Sequence, residues 1–124
     1  MIFEGFFDFL SYIEMTGEQW PKCNICVLNS VTNISKAHAW IRSHKTICTL
    51  FDNDDAGHKA LRDIRNSVAA ETAGGIKVND WSNLYNEFND LNERLGKDAQ
   101  ERENLTIQYQ SLWNKTFQVK FRKD

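Results

Sequence analysis

Two groups of acidic residues stand where short apolar stretches end. Glu4-Gly5-Phe6-Phe7-Asp8 follows Met1-Ile2-Phe3, and Asp52-Asn53-Asp54-Asp55-Ala56-Gly57 follows Thr46-Ile47-Cys48-Thr49-Leu50-Phe51. Crowded carboxylates repel one another, and a hard cation such as Mg²⁺, which takes oxygen ligands, neutralises them. A metal held this way offsets the charge of a reacting phosphate and orients its attacking and leaving oxygens. The chemistry indicated is metal-dependent and directed at phosphates. Asp52 and Asp54, two apart and just past a strand, can present both carboxylates on one side of a turn. Glu4, at the end of a neighbouring strand, would stand beside them and exchange a proton near neutral pH once its pKa is raised. Gly5 and Gly57 permit close backbone approach.

Taken alone, Asp52-Asn53-Asp54 reads as a solvated turn or a helix N-cap; the company of Glu4-Gly5 favours a metal site. An EF-hand loop also uses Asp-x-Asp, but here Ala56 takes its fifth position, Asp63 replaces the final Glu, and a strand precedes it. A phosphatase with an aspartate nucleophile would leave Glu4-Gly5 without a role.

The elements that must position these acids alternate. Met1–Glu4 reads as a short buried strand. Phe6, Phe9, Leu10 and Ile13 recur at helical spacing to about Met15, with Gly17 as the stop. Asn24–Leu28 is a second strand, Asn29–Asn33 a polar loop, and Ser35 a candidate cap for a helix carrying Ala37, Trp40 and Ile41. Thr46–Phe51 is a β-branched third strand. A helix from about Ala56 carries Leu61, Ile64 and Val68, and Ala73-Gly74-Gly75 breaks it. Ile76–Val78 is a fourth strand running out at Asn79-Asp80, followed by a helical turn or structured loop over Asn83–Glu87 and a short helix over Leu91–Leu95. The expected fold is α/β, a mostly parallel four-stranded sheet flanked by helices, with the acids at the carboxyl ends of its strands. Residues 97–124 differ: a helix from Ala99 to Trp113, then Phe117, Val119 and Phe121 at strand spacing, a candidate edge strand. They are expected to form a C-terminal extension.

The other candidates carry plainer readings. Cys23-Asn24-Ile25-Cys26 has redox-like spacing, but Cys26 falls inside a strand, so core packing is expected. His38, His44 and His58 read as surface residues. Phe6, Phe7, Phe9, Trp40 and Phe51 read as core rather than base-stacking platforms, and Asp8 as facing solvent on the first helix. Asn29 and Ser30, at the end of the second strand, are placed either to contact phosphates or to form an ordinary polar loop. The basic stretch Lys115–Lys123 reads as a solvated tail.

A chain of 124 residues suits one domain with its own core. A formal charge of −2 argues against a strongly basic nucleic-acid binder acting alone. No apolar run is long enough to span a membrane, the amino terminus carries no basic signal-peptide region, and three cysteines, an odd number, fit a reducing compartment. A cytoplasmic location is expected, as is a larger parent protein from which this domain comes.

Ile2-Phe3-Glu4-Gly5-Phe6-Phe7-Asp8 resembles the first Toprim motif, a strand ending in Glu-Gly with Asp three positions on. Leu50-Phe51-Asp52-Asn53-Asp54-Asp55-Ala56-Gly57 resembles the second, Asp-x-Asp-x-Ala-Gly after an apolar strand. The likeness covers roughly residues 1–96, taken as the Toprim domain, and is strongest to bacterial-type DNA primases. It implies that Glu4 is the general acid or base or a metal ligand, that Asp52 and Asp54 hold Mg²⁺ (or Mn²⁺), and that Asp8 is a further acid. Asp90, in Asn89-Asp90-Leu91-Asn92-Glu93, matches a later acid; Asn92 stands where a second Asp would, and Asp80 is a rival. Lys59 matches the basic opening of the following helix. The substrate-binding set would be Gly5, Gly57, Lys59, Asn29 and Ser30. The implied activity is nucleotidyl transfer on a single-stranded DNA template with nucleotides as substrates, in replication or a mobile element, alongside a helicase or other domains of the parent. The alternatives are a Toprim nuclease and a non-catalytic module that binds nucleic acid or a partner.

Overall fold

The structure, a computed structural model, describes residues 1–72 and 75–117. Its centre is a four-stranded sheet in the order β2-β1-β3-β4, formed by β1 (Ile2–Phe3), β2 (Cys26–Val27), β3 (Thr46–Leu50) and β4 (Lys77–Asp80). Every pairing is parallel: Phe3 is in register with Val27 on one side and Leu50 on the other, and Thr49 with Asp80. The chain leaves β1 for one side of the sheet and returns to the other, so the strand order reverses between β1 and β3. In open parallel sheets the ligand crevice lies at the carboxyl ends of the strands beside such a reversal.

Helices cover both faces: α1 (Phe6–Thr16), α4 (Leu91–Leu95) and α5 (Ala99–Phe117) on one, α2 (Ile34–Arg42) and α3 (Asp55–Thr72) on the other. The strand period of two sorts the side chains between them. Phe3, Cys48 and Leu50 join Tyr12, Trp81, Tyr85, Leu91, Leu105 and Tyr109 in one core. Ile2, Ile47 and Phe51 join Ile34, Ile41, Ile64 and Val68 in the other. Helix α5 belongs to the first core through Leu105 and Tyr109, and the Tyr12 and Tyr109 hydroxyls share a buried hydrogen bond of 2.7 Å. Buried Arg94 ties α4 to its surroundings, donating to the Leu84 carbonyl and to Gln108 of α5.

Several expectations shift. Gly17 does end α1, at φ 66°, with its N–H on the Ile13 carbonyl. Ser35 is not a cap: α2 begins at Ile34, after a 3-10 turn over Val31–Asn33, and the Asn33 side chain instead donates to the Leu28 carbonyl. The segment after β4 is a second 3-10 turn, Ser82–Tyr85. Phe117 closes α5 rather than opening a strand; the rest of the expected edge strand, with Val119 and Phe121, lies outside the described residues, as does most of the Ala73-Gly74-Gly75 break. Cys26 lies in β2 as expected, and all three cysteines are free thiols. Among the described residues no helix is long and apolar enough to cross a membrane.

Candidate metal centre

Four segments meet at the β1/β3 end of the sheet. Glu4 follows β1, Asp8 lies in the first turn of α1, Asp52 follows β3, and Asp90 precedes α4. One carboxylate oxygen from each of Asp8, Asp52 and Asp90 lies within 4.8 Å of the others. Glu4 adjoins them, its Oε2 accepting the Asp52 backbone N–H at 2.9 Å, which locks the ends of β1 and β3 together. Glu4, Asp8, Asp52 and Asp90 line one cleft, whose other wall includes Asn29 and Ser30.

Three acids of this cleft, Glu4, Asp8 and Asp52, resist ionisation. Burial pushes Asp52 up to about 7, with Glu4, Asp8, Asp90 and Asp54 adding repulsion. Burial pushes Asp8 up to about 6; Asp90 and Glu4 add to it, while the Asn92 N–H opposes it. Glu4 is raised by burial and by Asp54 and Asp90, against the lowering effect of its bond to Asp52. Asp52 Oδ1 is buried with no hydrogen-bond partner. An orphaned buried acceptor is costly, and a cation would satisfy it. Neighbouring oxygens around an octahedral Mg²⁺ stand about 3 Å apart, so the three carboxylates would draw together around an ion to form one face of such a shell. An all-oxygen set suits a hard divalent ion rather than zinc or copper. The residues present fit the metal that the sequence motifs imply.

Asp90, which the resemblance marks as a later acid of the site, can act both as a helix cap and as a metal ligand. Its geometry serves both, since its Oδ1 caps α4 by accepting the Glu93 N–H at 2.8 Å while the carboxylate stands in the three-acid group. Asp54 lies beside this group rather than in it. Its Oδ1 accepts the Gly57 N–H at 2.7 Å, capping α3, and the residue is exposed. Asp80, the rival, is occupied in a turn with the Ser82 N–H.

The glycines differ in their constraint. A Cβ on Gly57 would lie 2.1 Å from the Asp52 carbonyl oxygen, so only glycine lets α3 start this close to the end of β3. A Cβ on Gly5 would meet Asp8 Oδ2 at 3.6 Å, an ordinary contact. Gly5, Asn29 and Ser30 border the cleft, with Asn29 in the left-handed region at φ 63°. Lys59 does not line it; it pairs with Asp63 on its own helix at 2.9 Å.

Two placements reverse the sequence reading. Asp8 is only 6 % exposed, not solvent-facing, because Asn92 crosses to meet it: the Asn92 N–H donates to Asp8 Oδ1 at 3.2 Å, and Asn92 Oδ1 accepts the Ser11 hydroxyl. Phe6 and Phe7, expected in the core, are 52 % and 71 % exposed at the cleft, whereas Phe51 is buried and Phe9 packs against the core as expected.

Sequence reasoning also missed the residues that carry Asp90 to the site. The Asn53 side chain donates to the Tyr85 and Phe88 carbonyls, and its backbone N–H donates to the Asn89 carbonyl at 2.7 Å. The Tyr85 hydroxyl donates to the Phe51 carbonyl at 2.7 Å. These four bonds stitch the β3 exit to the segment ending at Asp90. An amide at the middle of Asp-x-Asp was the available signal, since it can donate to two carbonyls at once.

Comparisons with known proteins agree with this geometry at the level of the family. Neither curated proteins nor solved structures give a significant match to the chain. One family, described as Toprim-like, matches residues 1–95, the span that contains all four acids of the cleft. Toprim domains bind divalent metals and act on nucleic acid in primases, nucleases and topoisomerases. With its parallel sheet, its two acidic motifs at adjoining strand ends and that match over most of its length, the chain belongs to the Toprim-like family.

Proposed function

We propose that this domain catalyses Mg²⁺-dependent phosphoryl transfer on nucleic acid, and that the reaction is primase-like nucleotidyl transfer. The observation that carries the reading is the convergence of Asp8, Asp52 and Asp90 within 4.8 Å, with Glu4 beside them. Asp52 and Asp8 would hold the ion, with Asp90 completing the face and Asp54 adding negative charge beside them. When bound, Mg²⁺ supplies charge neutralisation at the reacting phosphate. Glu4 is held at a strand end by the Asp52 N–H, and burial and neighbouring acids raise its pKa above the ordinary carboxylate value. It would accept the proton of an attacking 3′-hydroxyl as that oxygen bonds to the α-phosphorus of a nucleotide and pyrophosphate leaves. The backbone around Gly5 and the Asn29-Ser30 turn would contact phosphate oxygens. Mn²⁺ would substitute, having the same oxygen preference.

The experiment is nucleotide incorporation on a single-stranded template by the parent protein, beside Glu4→Gln and Asp52→Asn. Both variants are expected to lose incorporation, with Glu4→Gln keeping its fold because the amide oxygen can still accept the Asp52 N–H. Undiminished activity in both would remove these residues from the mechanism. Cleavage of labelled DNA with metal but without nucleotides would assign the same centre to a nuclease. An absence of any Mg²⁺ response in calorimetric titration would leave a binding module.

A further inference from the structure

Phe6 and Phe7 are anomalous for a folded domain. They are adjacent, both more than half exposed, and they sit one and two residues before a buried carboxylate of the metal group. Phe7, the more exposed of the two, pairs with Phe6 edge-on at a centroid separation of 6.4 Å; Phe6 leans in turn on half-buried Phe9 at 6.3 Å. The two rings are therefore braced from behind by the core while their outer surfaces stay open. Both border the cleft that holds Glu4, Asp8, Asp52 and Asp90.

We propose that Phe6 and Phe7 form a stacking platform for an unpaired base next to the phosphate held at the carboxylates, and that this platform makes the site select single-stranded over duplex nucleic acid. The inference rests on the reading of the cleft as a nucleic-acid site and adds the residues that select an unpaired strand there. A nucleotide presents an apolar π-face and an anionic phosphate a few ångströms apart, which matches rings and metal-holding acids on one cleft wall. Base–aromatic stacking is tolerant of sequence and is available only where the base is splayed from its partner. A protein partner with an apolar face would instead have to cover four carboxylates together with the rings, which costs desolvation wherever they are left unpaired. The chain has a net charge of −2, so stacking and the metal would replace the basic groove that other binders use.

The test is fluorescence anisotropy of fluorescein-labelled oligothymidylate with the whole chain, in Ca²⁺ to suppress turnover. An abasic strand of equal length and a duplex serve as the other probes. Phe7→Ala is expected to weaken oligothymidylate binding by about 5- to 100-fold and to leave the abasic strand unchanged. Phe7→Trp is expected to keep the affinity, and the wild type to prefer the single strand to the duplex. Because Phe7 is exposed, thermal melting of both variants should match the wild type. Equal binding of oligothymidylate by Phe7→Ala and wild type overturns the platform alone, as does a loss that is the same on the abasic strand. If the wild type binds neither strand, the nucleic-acid reading of the cleft fails and the platform with it.

Discussion

Asp8→Asn separates the two roles of the buried acid, because it should stabilise the metal-free fold while abolishing the response to metal. In the folded chain the Asp8 carboxyl is held up to about 6 against an ordinary value of 3.8, by burial first and by Asp90 next. The folded state thus grips this proton more tightly than the unfolded state does. Below the ordinary value both states hold the proton and the group contributes nothing. As pH rises from about 4 to about 6 the unfolded chain releases its proton first, and stability falls by up to about 3 kcal/mol. Above that range the penalty is complete. Asn has no charge to bury, and its side-chain oxygen can still accept the Asn92 N–H that now reaches Asp8 Oδ1 at 3.2 Å. Relaxation and water entry reduce the gain, so about 1–2 kcal/mol is expected at neutral pH. For a chain of this size that raises Tm by roughly 4–8 °C. The assay is thermal melting in EDTA at about pH 5 and about pH 8, then in excess Mg²⁺. Wild type should lose Tm between the two pH values, the variant should lose less, and at the higher pH the variant should melt above wild type. Mg²⁺ at a hundred times its dissociation constant should stabilise wild type by about 2.7 kcal/mol and the variant by little. A variant that melts below wild type in EDTA at the higher pH would refute the reasoning, making Asp8 an anchor for α4 rather than an acid held under repulsion.

Asn53→Ala removes the donor to the Tyr85 and Phe88 carbonyls; it should cost about 1–3 kcal/mol in urea unfolding and lower the Mg²⁺-induced rise in Tm, since the segment carrying Asp90 loses two of its four bonds to the β3 exit. Gly57→Ala places a methyl 2.1 Å from the Asp52 carbonyl oxygen, so it should destabilise by at least about 1–3 kcal/mol and impair Mg²⁺ binding in calorimetry; a variant with unchanged melting and affinity would show that α3 has room to move. Asn92→Asp keeps the backbone donor to Asp8 and an acceptor for Ser11 but adds a charge to the acid group, so Tm in EDTA at neutral pH should fall and the gain on adding Mn²⁺ should exceed that of wild type.

The sheet was legible because each strand carries its own local signal. Ile2 and Phe3 turn to opposite cores, as do Ile47 and Cys48, and an apolar run ending at an acid marks where each of these strands meets the cleft. The Glu4 and Asp52 pairing was legible for the same reason, since both are fixed by the ends of adjoining strands. What could not be read locally was the rotation of α1. The sequence offers Phe6, Phe9, Leu10 and Ile13 as its apolar stripe, yet the buried positions are Asp8, Ser11, Tyr12 and Met15, while Phe6 and Leu10 are exposed. Both sets keep helical spacing, so periodicity alone cannot choose between them. Partners distant in sequence favour the second set: Asn92, 84 residues from Asp8, bonds both buried polar groups of the inward face, and Tyr12 packs on Tyr109 of α5. Without Asn92, burying Asp8 and Ser11 would cost more than burying Phe6 and Leu10 returns. A helix that turns an acid inward and two aromatic rings outward has given up core packing at its amino end, and such departures from local consistency gather at functional sites. The same rotation delivers Asp8 to Asp52 and Asp90 and exposes Phe7 beside them; the acid's ion and the ring's base are two consequences of how one helix is seated.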